Sequence, residues 1–205
     1  MRTTGARCRI CRRLGSKLFL KGDRCLSEKC PVTQGAPVPG QINQKHGSGK
    51  PSDFKLQLVE RQKIRKSYDI NERHLRNIFK KSRGQEGKTD DLLLIALERR
   101  LDNVVYRAGF ATSRAKARQL VSHGHFTLNG RRVDVPSILV RVEDKIAIRA
   151  GSAGKKPFDG LKPKSEARWV KVDPKKKEIE IAALPAADDL PEDFQAQSVV
   201  ESYSR

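Results

Sequence analysis

The hydrophobic positions change period twice along this chain, and those changes mark out its elements. Ser52 is a plausible N-cap for a helix over Asp53 to Lys66, in which Leu58 follows Phe54 by four residues. Asn71 predicts a second start, with Ile70 before it and Leu75 after it in the hydrophobic-staple arrangement. Leu75, Ile78 and Phe79 then share one face, and Arg73, Arg76 and Lys80 cover the rest. From Asp90 to about Ala108 the spacing of Leu94, Leu97, Leu101, Val104 and Val105 predicts one longer amphipathic helix. Ser113 opens a short helix through His123, stopped by Gly124. The period then falls to two. Phe126 and Leu128, the pair Asn129-Gly130, and Val133 and Val135 read as a hairpin with a type I′ turn. Lys145 to Arg149 is a further strand, and Trp169 to Val172 with Ile179 to Ile181 form another hairpin. Leu190 to Arg205 reads as helical.

Outside these elements, Pro31 to Ser52 is rich in Gly, Pro and Gln and has no periodicity, which marks a linker. With 205 residues there is room for one large domain or two small ones. Aromatics are only 5% of the residues and charged groups 33%, so the interior is small and the surface electrostatically active. The formal net charge is +19. Self-repulsion on that scale is relieved by a polyanion, which points to nucleic acid. Lys and Arg outnumber Asp and Glu by 22 to 8 over residues 1–90, by 11 to 6 over 91–150, and balance at 10 to 10 thereafter. The polyanion surface is therefore expected in the first two thirds. The longest strongly apolar stretch, Leu92 to Leu97, is far short of a membrane span, and Met1 to Leu14 lacks the apolar core of a signal peptide. A cytosolic protein with no membrane partner is expected.

All four cysteines lie in the first 30 residues, as Cys8, Cys11, Cys25 and Cys30, in the spacing C-x2-C-x13-C-x4-C. Two close pairs joined by a short loop suit tetrahedral coordination of one structural Zn2+. The segment has few large apolar side chains, so the metal would supply most of its folding energy. Disulfides are disfavoured in a cytosolic chain, and a 4Fe-4S cluster is the second choice because the compact ferredoxin run is missing. Four thiolates would leave no open position for catalytic water. Around them Arg7, Arg9, Arg12, Arg13, Lys17, Lys21 and Arg24 are candidates for phosphate contact.

The run Leu97-Glu98-Arg99-Arg100-Leu101-Asp102-Asn103-Val104-Val105-Tyr106-Arg107, followed by Ala111-Thr112-Ser113 and Ala117-Arg118-Gln119-Leu120-Val121, resembles the signature of the small-subunit ribosomal protein four family. The stretch from His123 through Gly124, His125 and Asn129-Gly130 to Val133 is similar to the RNA-binding module named after that family. Synthetases and pseudouridine synthases share the module. The cysteine set resembles that of the zinc-bearing members of the ribosomal family, and the ending from Val199 resembles that family's C-terminus.

The resemblance implies an α+β fold with three parts. These are a four-cysteine zinc knuckle and linker over 1–45, a helical domain over 46–96 with 185–205, and an inserted RNA-binding module of helices and a small antiparallel sheet over 97–184. It also implies early binding to a multi-helix junction in the 5′ part of 16S-type rRNA, nucleation of the subunit body, and an effect on decoding accuracy. The implied partners are the fifth and third small-subunit proteins and mRNA near the entry channel. Besides the knuckle cations, candidate RNA contacts are Lys45, Lys50, Arg61, Lys63, Arg65, Lys66, Arg73 and Arg76, then Arg100, Asn103, Tyr106 and Arg107. Arg114, Arg118, Gln119, His123, His125, Asn129, Arg131 and Arg132 complete the set. On the helix from Ser113, Arg114 and Arg118 lie along one edge of the buried face and Lys116 on the other.

An RNA-modifying enzyme is the competing reading. It lacks a catalytic constellation, because His46, His74, His123 and His125 have no clear nucleophile or paired carboxylate near them in sequence. A zinc-dependent DNA-binding regulator is disfavoured because the 13-residue loop offers no evident recognition helix.

Overall fold

The computed structural model describes residues 5–40, 51–158, 163, 165, 167–191 and 193–204. Its helices are α1 (Arg7–Leu14), α2 (Asp23–Leu26), α3 (Asp53–Ser67), α4 (Glu72–Arg83), α5 (Thr89–Glu98), α6 (Leu101–Arg107), α7 (Arg114–Ser122) and α8 (Ala196–Ser204). The strands are β1 (Phe126–Leu128), β2 (Arg131–Val133), β3 (Lys145–Ile148), β4 (Val170–Asp173) and β5 (Glu178–Ile181). These form two compact units. One contains the chain up to Leu93 with the segment after Pro191, and the other runs from Leu94 to Pro191. No helix among the described residues is long and apolar enough to cross a membrane.

In the first unit the caps are local and strong. Ser52 Oγ accepts from the Lys55 N–H at 3.4 Å, and Asn71 Oδ1 accepts from the His74 N–H at 2.7 Å, each satisfying a first-turn donor that the helix cannot. Ile64, Leu75, Phe79 and Val199 are all buried in this unit, and the C-terminal helix, which carries Val199, lies along α3. Polar ties fix that helix in place. Gln57 Nε2 donates to Glu201 at 3.3 Å, and the Gln195 N–H donates to Glu60 at 3.3 Å.

The second unit has a five-stranded antiparallel sheet in the order β2-β1-β3-β5-β4. Leu128 pairs with Arg131 across a two-residue turn in which Asn129 (φ 49°) and Gly130 (φ 79°) are both left-handed, the requirement of type I′. The second strand ends at Val133 rather than Val135, which is 49% exposed just before Pro136. Phe110, Phe126 and Phe158 meet edge-on at 6.2 and 5.9 Å at the centre of a single apolar core with Trp169, Ile146, Ile179 and Val121.

The single helix expected over Asp90 to Ala108 is two helices. At the break Arg100 is extended (ψ 138°) and bridges Leu139, because the strap 136–140 takes the backbone groups there. The Leu101 N–H donates to Ile138 at 2.8 Å, and the Val140 N–H donates to Arg99 at 2.9 Å. The apolar spacing continues through the break, so the sequence period cannot register it.

Candidate nucleic-acid interface

Two buried carboxylates organise the arginines of the second unit. Glu98, fully buried, accepts from Arg107 Nε at 2.8 Å and from Asn103 Nδ2 at 2.9 Å, and Arg114 stands 3.8 Å away. Asp102 accepts a two-pronged bond from Arg100 (3.0 and 2.7 Å) and one from Arg118 at 3.4 Å. Arg114 also donates to Asn103 Oδ1 at 2.8 Å and covers the Tyr106 ring at 4.8 Å. Burying carboxylates is costly unless each is paired and hydrogen-bonded, and here each takes several donors. The result is a fixed frame with guanidinium groups at its rim, the side chains of Arg107, Arg114 and Arg118 being 24%, 14% and 28% exposed.

Two candidates change role in this arrangement. Arg100 and Asn103, expected as RNA contacts, are each 1% exposed and are spent on Asp102 and Glu98, so they support the frame rather than present groups from it. Gln119 is exposed on α7, and Arg114 and Arg118 both reach toward the carboxylates of the preceding elements. Sequence reasoning missed Glu98 and Asp102. The available signal was two acids inside an arginine-dense run.

At the end of α7, Gly124 is left-handed (φ 67°), and a Cβ there would lie 2.6 Å from Arg132 Nε. Only glycine lets that guanidinium rest on the backbone. Arg131 and Arg132 are exposed on edge strand β2, and His123 is exposed nearby. The His125 Nδ1 and Ser152 Oγ are 3.0 Å apart, and the ring meets Phe158 edge-on at 5.7 Å. Burial, reinforced by Lys155, His123 and Arg149, pulls the His125 ring below its ordinary range. Asn129 is used inside the hairpin, accepting from the Lys145 N–H and donating to Asp144, both at 2.8 Å.

In the first unit Arg61 and Arg65 face Glu72 at 3.7 and 3.1 Å, and Lys63 pairs with Glu60 at 2.6 Å. Lys66 is half-buried, whereas Arg73 and Arg76 are exposed on α4. Lys45 and Lys50 lie outside the described residues. In the cysteine segment Arg7 donates to the Leu20 carbonyl at 2.9 Å and Arg12 to the Pro37 carbonyl at 3.0 Å, holding the loop together. Arg9, Arg13, Lys21 and Arg24 are exposed, and Lys17 is half-buried.

The four thiols are free, and all line one small cavity with Leu20 and Val32. The Lys21 N–H donates to Cys25 Sγ at 3.3 Å. Backbone N–H groups of Thr33 and Val32 draw the Cys30 thiol below its ordinary range, while burial pushes Cys11 up. By identity and shared cavity the donors suit zinc. Among the described residues, however, no group of three or more His, Cys, Asp or Glu is drawn close enough to hold an ion as it stands.

The features define a class: a basic, two-unit protein in which a helical unit is interrupted by a helix-and-sheet module with a rim of held arginines. Residues 2–98 match the family described as ribosomal protein S4/S9 N-terminal domain, and residues 99–146 match the S4 domain. The small ribosomal subunit protein uS4 of Syntrophomonas wolfei is 48% identical over 211 residues, spanning 100% of this chain and 99% of the relative. Its namesakes in Desulfitobacterium hafniense and Clostridioides difficile are 46% and 42% identical over 207 residues, again across 100% of this chain and 99% of theirs. This chain belongs to the ribosomal protein S4 family.

Proposed function

We infer that this protein is a structural, rRNA-binding constituent of the small ribosomal subunit and not an enzyme. The observation that carries the reading is the end-to-end identity with proteins named small ribosomal subunit protein uS4. The framed arginines supply a physical route. A guanidinium held by a buried carboxylate has already lost its rotamer freedom, so less entropy is lost when it meets a phosphate. RNA of this kind is read by shape and backbone rather than by base edges. The phosphate-facing set is Arg107, Arg114, Arg118, Arg131 and Arg132, with His123 and Gln119 beside them and the exposed cations of α1, α2 and α4.

On this reading the chain seats on a multi-helix junction in the 5′ domain of 16S rRNA and nucleates the subunit body. It lies beside the fifth and third small-subunit proteins near the mRNA entrance, where it contributes to decoding accuracy. Cys8, Cys11, Cys25 and Cys30 close around one Zn2+, which supplies the folding energy that their segment lacks in apolar contacts.

Binding to purified 16S rRNA, titrated with salt, tests the reading. A protein making six or more phosphate contacts loses on the order of a thousandfold in affinity between about 50 and 200 mM salt. A flat response, or absence of the protein from the small-subunit fraction on sedimentation, would sink it.

A further inference from the structure

The four thiols share one cavity but are not held alike. Cys11, Cys25 and Cys30 are buried, whereas Cys8 is partly exposed on the first turn of α1. Cys11 is fixed by the end of that helix, because the left-handed Gly15 (φ 67°) and Ser16 both donate their N–H groups to its carbonyl. Cys25 Sγ accepts the Lys21 N–H at 3.3 Å, and the Cys30 carbonyl accepts the Gln34 N–H at 3.0 Å in the turn that follows. The start of α1 is held more lightly. Its N-cap, Ala6, makes no side-chain bond to the first turn, and Gly5 before it stands in open space. One side-chain tie remains there, from Arg7 to the Leu20 carbonyl at 2.9 Å.

Cys8 and Cys11 stand three apart on α1 and line the cavity together. Side chains at that spacing have Cβ atoms about 5–6 Å apart, and a disulfide needs about 3.5–4.5 Å, so a shift of about 1–2 Å in the lightly held first turn joins them. We propose that Cys8 and Cys11 are a site of reversible oxidation by peroxides, with Cys8 as the attacking thiol and Cys11 as the resolving one. The exposed Cys8 sulfur attacks one peroxide oxygen, the O–O bond breaks, and the sulfur is left two electrons more oxidised as a sulfenic acid while the first water departs. The Cys11 sulfur then attacks the Cys8 sulfur, the S–O bond breaks and a second water leaves, so two thiols and one hydrogen peroxide give one disulfide and two waters. Pairing Cys8 with Cys25 instead would draw that sulfur from the Lys21 N–H. The inference goes beyond the zinc reading and does not depend on it. Bound zinc would claim the same two sulfurs, so the disulfide and a filled set of four thiolates exclude each other.

The test treats the full chain, as purified, with a small excess of hydrogen peroxide, then alkylates the remaining thiols and digests with trypsin. Cleavage after Arg7, Arg9, Arg12, Arg24 and Lys29 puts each cysteine in its own peptide, so mass spectrometry reads the linkage directly. Most of Cys8-Arg9 should be found joined to Ile10-Cys11-Arg12, two hydrogens lighter than the reduced pair, and dithiothreitol should part them. Cys11→Ser should halt the reaction at a Cys8 sulfenic acid, captured by dimedone, whereas Cys25→Ser should still form the link. Zinc is measured on the same samples. Metal lost in step with the link upholds both readings, and a link in a parent chain that carries no zinc upholds this one while sinking the zinc reading. Cys8 joined to Cys25 or Cys30, or four cysteines that all remain open to alkylation after the treatment, overturns the proposal whatever the zinc content.

Discussion

The module from Leu94 to Pro191 and the cysteine segment before residue 40 are both small, basic and rich in backbone turns, yet they are held by opposite means. The module closes one continuous apolar core around Phe110, Phe126 and Phe158, and then sinks two carboxylates at its edge to hold arginines in place. The cysteine segment buries few hydrophobic side chains beyond Cys11, Leu18, Cys25 and Cys30. Apolar burial at about 25 cal/mol per Å² can order the first but not the second. The contrast teaches that exposed arginine over a stiff support follows from core packing in the module, whereas the cysteine segment needs another source of order, for which zinc is the proposed one.

The sharpest way to break the comparison is to test the proposed zinc. Chelation, or Cys11→Ser with Cys25→Ser, should open residues 5–40 to protease while the unfolding midpoint of the module stays unchanged, since apparent zinc-binding energies in such segments are on the order of 10 kcal/mol. Elemental analysis should find about one zinc per parent chain. A metal-free protein whose N-terminal segment resists protease as well as before would remove this side of the contrast.

The next largest effect belongs to the module. Glu98→Ala leaves Asn103 without its carboxylate acceptor and strips Arg107 of its counter-charge, and breaking a buried ion pair in this way costs about 3–5 kcal/mol. Denaturant titration measures it, and a loss below about 1 kcal/mol would mean that the frame does not support the fold.

The smallest effect is the dependence of the module on acid. His125 is held below its ordinary range of about 6.5, so between that value and its folded one the unfolded chain binds more protons than the folded chain. The contribution is fully present above this window and is lost as pH falls through it. Melting temperature should therefore drop on acidification from pH 7 to about pH 5, and His125→Gln should flatten that drop. An identical pH profile for the variant would show that this ring is not the titrating group.

What could be read from the sequence was the short-range part. Caps at Ser52, Asn71 and Ser113, the stop at Gly124 and the Asn129-Gly130 turn each depend on residues within a few positions, and all were found in place. The break at Arg100 was invisible because its cause is the distant strap 136–140. The inward turn of Arg100 and Asn103 was missed for the same reason, since a basic or amide side chain in an arginine-rich run reads as surface until its carboxylate partner is located. A pocket beside Tyr203, walled by Arg61, Arg76, Lys80 and Arg83, was hidden further still. It joins α3 and α4 to a helix more than a hundred residues away, and of that helix only the broad span Leu190 to Arg205 was legible, against the observed Ala196–Ser204.

The seating of α8 on α3 also sets an order of events during synthesis. Helices α3 and α4 are translated well before α8, which packs on them and sets Tyr203 against Phe79, and the whole module lies in between. Chain elongation runs at about 5–20 residues per second, slow beside the closing of a small domain, so the module can complete itself while the helical unit still waits for its last helix. The helical unit, begun before the module, is therefore finished after it.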